Sequence, residues 1–192
     1  MTKWLETQIE GNGIRLRPVR EDELEVYYAL LLDPESNRLT GTQQEISKES
    51  VAAWIQNIRM EHADRVDMMI AVEATDELIG EVVLNEIDSV NRSANIRILI
   101  SNQHSNRGFG TEAIKLMLQH GFEQVGLHRI ELGVYEFNPR AIHVYEKIGF
   151  KREGILRDAL YWNGEFHDMI MMSMIEDEYR LMSAVYWPLD HR

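Results

Sequence analysis

The chain has 192 residues, of which 44% are hydrophobic and 27% are charged, so its composition is that of an ordinary globular protein. It contains 20 Lys and Arg against 32 Asp and Glu, and the formal net charge of −12 disfavours binding to nucleic-acid phosphates and favours cationic partners. There is no cysteine, which excludes disulfides, thiol nucleophiles and thiolate metal sites.

No segment predicts a membrane span, because the longest uncharged apolar run near the start, Val26–Leu32, is far short of the ~20 residues that a bilayer needs. Met1–Glu6 lacks the apolar core of a secretory leader, so we expect a cytoplasmic protein. No linker or repeat divides the sequence. It therefore predicts one domain over residues 1–192, with a core of about 13–180 and a short C-terminal tail after about Leu181.

The first part of the chain predicts one strand and two helices. Ile14–Arg17 alternates apolar and charged residues, which is typical of a strand. A helix that starts at Glu21 or Asp22 is expected to end at Asp33-Pro34, because the residue before a proline disfavours helical geometry. Ser47 is the predicted N-cap of a second helix, which has apolar residues at helical spacing.

The middle of the chain predicts three strands. The β-rich stretches Met68–Val72, Leu78–Ile87 and Ala94–Ile100 are separated by short polar turns at Asp76-Glu77 and Ser89–Ser93. Turns this short connect antiparallel neighbours, so we expect a meander.

Two helices that flank a strand follow. The first comes after Gly108–Thr111, has one apolar face and is expected to stop at Gly126. His128–Val134 alternates as a strand does. Asn138-Pro139 then supplies an N-cap and a first-turn proline for a helix that Gly149-Phe150 closes.

The end of the chain predicts a hairpin. Two strands, Gly154–Trp162 and Phe166–Met174, flank Asn163-Gly164, a strong hairpin signal, and Asp177–Leu181 forms a last helical turn. The predicted fold class is therefore α/β. It is a mixed, mostly antiparallel sheet of about seven strands flanked by helices, in the order β-α-α-β-β-β-α-β-α-β-β.

The segment Ser105–Thr111 is the first candidate functional site. Gly108 and Gly110 let backbone N–H groups turn toward one point, and the helix that follows adds free N–H groups and its positive dipole end. Together they would form an anion cradle suited to a pyrophosphate. The segment matches neither the P-loop nor the dinucleotide motif, because Ala113 stands where the latter has glycine. A tight turn without a ligand is the alternative.

A second motif, N-P-R-A-I-H-V-Y-E-K-I-G-F at Asn138–Phe150, makes the pattern specific. The two segments together resemble the GNAT superfamily of acetyl-CoA-dependent N-acetyltransferases. The first resembles the Q/R-x-x-G-x-G/A pyrophosphate loop, and the second resembles the N-x-x-A-x-x-x-Y-x-K-x-G-F helix. The continuation Lys151–Gly154 and the Asn163-Gly164 hairpin are similar to the branch of ribosomal-protein alanine and spermidine acetyltransferases.

The resemblance implies a GNAT-like fold, acetyl-CoA as co-substrate, and Tyr145 as the general acid that protonates the leaving thiolate. No metal is expected, because the seven histidines show no H-x-x-x-H pair and lie on different predicted elements. Without the flanking motif, Tyr145 would be interpreted as a core aromatic residue, and Asn138 as a helix cap. Residues 98–100 would pair their backbone with the pantetheine amides. The residues implied to bind acetyl-CoA are Ile98, Leu99, Ile100, Ser105, Asn106, Arg107, Gly108, Phe109, Gly110, Thr111, Asn138 and Ala141.

Two positions depart from the family pattern. Ser105 stands where the loop usually has Gln or Arg, and Asn95 stands where relatives commonly carry a Glu. Asn95 cannot act as the base that deprotonates an incoming ammonium group. Other groups could do so directly or through water, although each also fits a surface or hairpin role: Glu81, Glu86, Glu136, and His167 with Asp168.

The predicted function is acetyl transfer to a primary amine, either a protein N-terminal α-amine or a small amine. Spermidine ranks slightly lower, because Asn37–Gln44 lacks the adjacent carboxylates that spermidine enzymes share. A non-catalytic acyl-CoA-binding module is the alternative from another class. A homo-oligomer is left open. Four methionines, Met169, Met171, Met172 and Met174, predict core or subunit contacts rather than a ligand groove, and Trp187-Pro188 either docks on a neighbour or frays.

Overall fold

The computed structural model describes residues 8–58 and 64–187. The strands are β1 (Ile9–Glu10), β2 (Ile14–Arg17), β3 (Val66–Val72), β4 (Leu78–Asp88), β5 (Ser93–Ile100), β6 (Arg129–Tyr135), β7 (Lys151–Trp162) and β8 (Glu165–Ile175). The helices are α1 (Leu24–Leu31), α2 (Pro34–Thr40), α3 (Lys48–Asn57), α4 (Phe109–Gln119), α5 (Pro139–Ile148) and α6 (Glu176–Tyr186).

The eight strands form one sheet in the order β1-β2-β3-β4-β5-β6-β8-β7. Neighbouring strands are antiparallel except for β5 and β6, which are parallel. The predicted mixed, mostly antiparallel sheet flanked by helices is confirmed, with eight strands instead of about seven. Of the helices in the described ranges, none has the length and apolarity to cross a membrane.

The start of the chain contains two elements that the sequence pattern did not indicate. Strand β1 has two residues, too few to show an alternation. Asp33-Pro34 was predicted to end a helix, yet it also begins α2, because the Asp33 side chain accepts a hydrogen bond from the Ser36 N–H at 2.7 Å and Pro34 occupies the first turn. A proline signal can therefore both stop one helix and start the next.

The C-terminal end is more ordered than the predicted tail. Helix α6 runs to Tyr186, well beyond the expected turn at Asp177–Leu181, because its buried Tyr179 stacks on Phe122 with ring centroids 4.7 Å apart. Trp187 is buried against Tyr179 of the same chain and is therefore not frayed, and Pro188 lies outside the described residues.

Different helices cover the two faces of the sheet. Helix α4 packs its buried side chains on one face, whereas α1 and α3 form a second apolar cluster on the other face around Met69. Met69 is paired with Glu81 and Glu81 with Leu99, so all three side chains point to the α1/α3 face. Their strand neighbours Ile98 and Ile100 point toward α4.

An ion-pair network joins β6, β7 and β8. Glu153 accepts hydrogen bonds from Arg129 Nη1 and Ser173 Oγ, each at 2.7 Å, and these bonds lower the pKa of its carboxyl to about 2. Because the folded-state pKa is lowered, the network stabilises the fold above the unfolded-state pKa, and this stabilisation is lost as pH falls toward 2. We expect Glu153→Gln to flatten the decline of the free energy of unfolding below about pH 4.5 in acid denaturation series. A variant whose acid slope equals that of the parent would contradict this role.

Candidate active site

The sheet opens where its two parallel strands separate. Strands β5 and β6 are paired only at their first residues, and the last pair is Asn95 with Glu131. Beyond it, β5 continues to Ile100 along β4, and β6 continues to Tyr135 along β8. The second halves of β5 and β6 therefore form the two sides of a gap in the middle of the sheet.

A cavity of about 680 Å³ lies at this gap, a volume typical of small-molecule sites. Every predicted site residue except Arg107, which is exposed, lines it. The residues brought together are Ile98, Leu99, Ile100, Ser105, Asn106, Gly108, Phe109, Gly110, Thr111, Asn138, Ala141 and Tyr145. Since these residues come from β5, the loop before α4, the first turn of α4, and α5, the fold joins both sequence motifs in one site. Their binding roles stay predictions.

The loop before α4 has the geometry of an anion cradle. Asn106 and Gly108 both have left-handed backbone angles, with φ of +64° and +83°, and Gly108 is the N-cap of α4. Alternation of this kind turns successive N–H groups toward one concavity, to which the first turn of the helix adds its own N–H groups. A Cβ built on Gly108 would meet no atom within 4 Å, so the space beside this backbone is open. The loop therefore fits a diphosphate.

The cradle can be tested with two glycines of the same conformation. Gly108→Val would place a side chain in the open space, and we expect it to weaken CoA binding about tenfold or more in calorimetry. Gly126, with φ of +78° and equally open surroundings, lies beyond the other end of α4. Gly126→Val carries the same backbone strain, ~1–2 kcal/mol, and should leave the affinity for CoA unchanged. Equal affinities for both variants would rule out the cradle.

Tyr145 lies on a helix whose ends are set by local signals. The Asn138 side chain accepts a hydrogen bond from the Ala141 N–H at 3.1 Å, and Gly149, with φ of +119°, ends the helix. Tyr145 is partly buried among core residues on the α4 face and packs edge-on against Phe150. Burial raises the pKa of its phenol to about 12, so the hydroxyl is protonated at neutral pH. In residues 8–58 and 64–187 this hydroxyl has no hydrogen-bond partner, and it is available to a ligand.

The cavity reaches both faces of the sheet through the gap. Ile98 and Ile100 line it from the α4 face, where Ile100 Cδ1 lies 3.4 Å from a Cβ built on Gly110. Leu99 lines it from the opposite face. We call the part beyond the gap, lined by Leu39, Thr40, Arg97, Leu99, Tyr135, Met169 and Met171, the α2 side of the cavity.

The structure corrects one prediction and adds residues on the α2 side. Met172 and Met174 are fully buried in the core as expected, but Met169 and Met171 line the cavity, because alternate side chains of β8 point to opposite faces. Arg97 and Tyr135 were not singled out from the sequence. Arg97 could have been recognised as a candidate site residue because it is the one charged residue within the apolar run of β5.

None of the proposed bases lines the cavity, and no Asp or Glu of the described ranges does. Burial raises the pKa of the Glu81 carboxyl, which accepts a hydrogen bond from Tyr27 Oη beneath α1. Glu86 is exposed. Glu136 lies 3.7 Å from His167 Nδ1, and Asp168 accepts the Asp158 N–H. Across the described part of the chain, no three potential ligand side chains converge to hold a metal ion.

Comparisons with known proteins agree with this architecture. The family model for the acetyltransferase (GNAT) domain matches residues 14–151. The chain is 30% identical to spermidine N(1)-acetyltransferase of Escherichia coli (strain K12) over 170 residues, 88% of this chain and 89% of that protein. It is 35% identical to spermidine N(1)-acetyltransferase of Vibrio cholerae over 118 residues, 62% of this chain and 68% of that protein.

A solved structure shares the fold over nearly the whole length. Spermidine N-acetyltransferase from Vibrio cholerae, in complex with CoA and spermine, superimposes with a TM-score of 0.81 at 27% identity, covering 88% of this chain and 98% of that one. The sheet order, the two motifs and the matched family model agree. The chain therefore belongs to the GNAT acetyltransferase family, as an acetyl-CoA-dependent N-acetyltransferase.

Proposed function

We propose that the protein transfers the acetyl group of acetyl-CoA to a small primary amine by direct attack, with Tyr145 as the general acid. The observation that carries this proposal is the position of Tyr145 in the same cavity as the Ser105–Thr111 loop. The cavity also extends through the gap to its α2 side, which leaves room for an acceptor on the opposite face of the sheet. A cytoplasmic location remains a prediction.

Bound acetyl-CoA supplies a thioester, whose acetyl carbon forms a bond to the amine nitrogen while its bond to sulfur breaks. Tyr145 gives its phenolic proton to the departing sulfur and regains one from solvent, and the amine releases a proton, so the exchange balances. A phenol with a pKa of about 12 stays protonated at working pH, as a proton donor must.

The remaining cavity residues would bind the co-substrate. Backbone N–H groups at Gly108 and in the first turn of α4 would hold the diphosphate. Residues 98–100, whose strand has parted from β6, would add the pantetheine arm as an extra strand. Asn138 keeps its capping role, and its position in the lining fits a contact with the same arm.

A small acceptor is supported by the relatives, two of which are spermidine N(1)-acetyltransferases. Spermidine is therefore the second candidate. A protein N-terminal α-amine is the third candidate, and a putative ribosomal N-acetyltransferase of Bacillus subtilis, 31% identical over 125 residues, is a relative that supports it.

An acceptor screen tests the proposal by following thiol release from acetyl-CoA. The panel contains spermidine, amino acids, aminoglycosides and a peptide with a free N-terminus. Release that requires one of the small amines supports the proposal. CoA binding without release on any acceptor would instead identify a non-catalytic binding module, and release on the peptide alone would favour the protein substrate.

A further inference from the structure

The α2 side of the cavity has an unusual charge for so acidic a protein. The chain carries a net charge of −12, yet the charged cavity-lining residues of the described ranges are Arg97 and Arg140, both cationic. Arg140 is in the first turn of α5, next to Ala141 on the co-substrate side. Arg97 is therefore the charged group that an acceptor meets on the α2 side.

The guanidinium of Arg97 forms no side-chain hydrogen bond or ion pair within the described residues, and the buried carboxyl of Glu81 acts on it only at longer range. The Arg97 side chain is exposed, and nowhere in residues 8–58 or 64–187 does a carboxylate come within ion-pair distance of it. It points to the same face as Leu99, two residues and about 7 Å further along β5. Arg97 and Leu99 both line the cavity on this face, so an anion bound to Arg97 would lie on the same side of the sheet as the acceptor.

Glu81 and Asp33, two carboxylates near this region, accept hydrogen bonds from other groups, and Glu81 also interacts with Arg97 at longer range. Glu81 is a diagonal neighbour of Arg97 across β4 and β5, but it accepts the Tyr27 hydroxyl and lies outside the cavity lining. Asp33 accepts hydrogen bonds from Ser36 N–H and Asn102 Nδ2. A polycation in this part of the cavity would thus lose water without gaining a carboxylate partner, and it would lie beside a like charge.

Apart from Arg97, the lining of the α2 side suits an apolar side chain. Leu39, Leu99, Met169 and Met171 line it together with the ring of Tyr135, beside the polar Thr40. Methionine side chains adapt to ligands of irregular shape. The lining therefore matches an acceptor with an apolar body and an anionic group.

Helix α2 covers this side of the cavity, and hydrogen bonds anchor the chain just before and just after the helix. Before the helix, Asp33 accepts a hydrogen bond from Asn102 at 2.9 Å, next to the co-substrate loop. After the helix, Gln43 donates a hydrogen bond to the Tyr161 carbonyl on the β7–β8 hairpin, and Gly41 packs against Tyr135. Because helix α2 is anchored at both ends over this side of the cavity, the space below it suits a small molecule better than a protein terminus.

We infer that the acceptor is a small amino acid-like amine whose own carboxylate pairs with Arg97 and whose apolar side chain contacts Met169 and Met171. This inference rests on the proposed acetyl transfer and specifies its substrate class. The reaction is the one already balanced above, and the carboxylate takes no part in bond formation. It orients the amine by a charge-assisted, bidentate hydrogen bond.

The contribution of the carboxylate can be measured with pairs of acceptors that are otherwise alike. L-methionine and L-methioninamide, and L-leucine and L-leucinamide, differ within each pair only in that group. The amide has the less basic amine and is more often neutral near neutral pH, so this difference works against the expected result. We expect kcat/KM for the acid to exceed that for its amide about tenfold or more, mainly through KM.

Variants of Arg97 test whether this residue causes the preference. Arg97→Gln should bring the acid-to-amide ratio to one or below, Arg97→Lys should restore part of it, and Arg97→Glu should improve kcat/KM for spermidine relative to the acids. Arg180→Gln, which removes one positive charge from the exposed face of α6, should leave the ratio unchanged.

Two results would overturn the inference: parent enzyme that uses amides as well as or better than acids, or an Arg97→Gln variant that keeps the parent's ratio. Both require turnover, so they are distinct from failure of the proposed function, in which no acceptor releases CoA.

Discussion

Tyr145→Phe is expected to lower kcat about 10²- to 10³-fold at neutral pH while changing the Kd for CoA by less than about threefold. The substitution removes a single oxygen, which has no hydrogen-bond partner in the described part of the protein, so packing against Phe150 is kept. Stopped-flow measurement of thiol release at saturating acetyl-CoA, together with calorimetry of CoA binding, measures both quantities.

The control is Tyr161→Phe, which removes the same group from an exposed hairpin residue. Because the phenol of Tyr145 has a pKa of about 12, the loss in kcat should be independent of pH over the usable range. The kcat/KM of the parent should rise with pH as the acceptor amine loses its proton, since no carboxylate in the described lining deprotonates it. Equal turnover by Tyr145→Phe and the parent would remove Tyr145 from the mechanism.

The largest expected effect on stability comes from Arg17, an almost fully buried cation. Its side chain is 3% exposed and bonds Glu23 Oε2 at 2.9 Å and Asp76 Oδ1 at 3.2 Å. Arg17→Met keeps the apolar length of the side chain but leaves Glu23, 12% exposed, without its buried counter-charge. We expect a loss of about 3 kcal/mol in the free energy of unfolding, measured by urea denaturation.

Arg20 provides the matched control, because it also pairs with Asp76 but is 48% exposed. Arg20→Met should cost less than about 1 kcal/mol, as solvent-exposed ion pairs usually do. The double variant Arg17→Met/Glu23→Gln should recover part of the loss by removing the unpaired charge. Equal losses for Arg17→Met and Arg20→Met would show that burial of this network has no energetic consequence.

Local signals explain why much of the fold was predictable. The α5 helix begins at Asn138-Pro139 and ends at Gly149, and both ends form through contacts between residues a few positions apart. The hairpin between β7 and β8 turns at Asn163 and Gly164, whose φ values of +51° and +90° are those that this residue pair favours. Such preferences act between residues a few positions apart, so they can be recognised from the sequence without knowledge of the rest of the molecule.

The methionines of β8 show where such local information ends. Met169 and Met172 have the same chemistry and lie three positions apart, yet one lines a cavity and the other fills the core. The environment of each side chain depends on which face of the sheet α4 covers. That is decided by contacts between distant parts of the chain. The sequence did not predict helix α2, because the pair Asp33-Pro34 was interpreted only as the end of α1. In the structure the same pair also begins α2.

The amino-acid order alone therefore specified most of the strands and helices, the glycine loop and the tyrosine-bearing helix, since capping, turn and spacing preferences are short-range. The separation of β5 from β6, and with it the place of Arg97 beside Tyr135, depends on how the strands pair and how the helices pack across the sheet. These contacts join residues far apart in the chain, and they were seen only in the folded molecule.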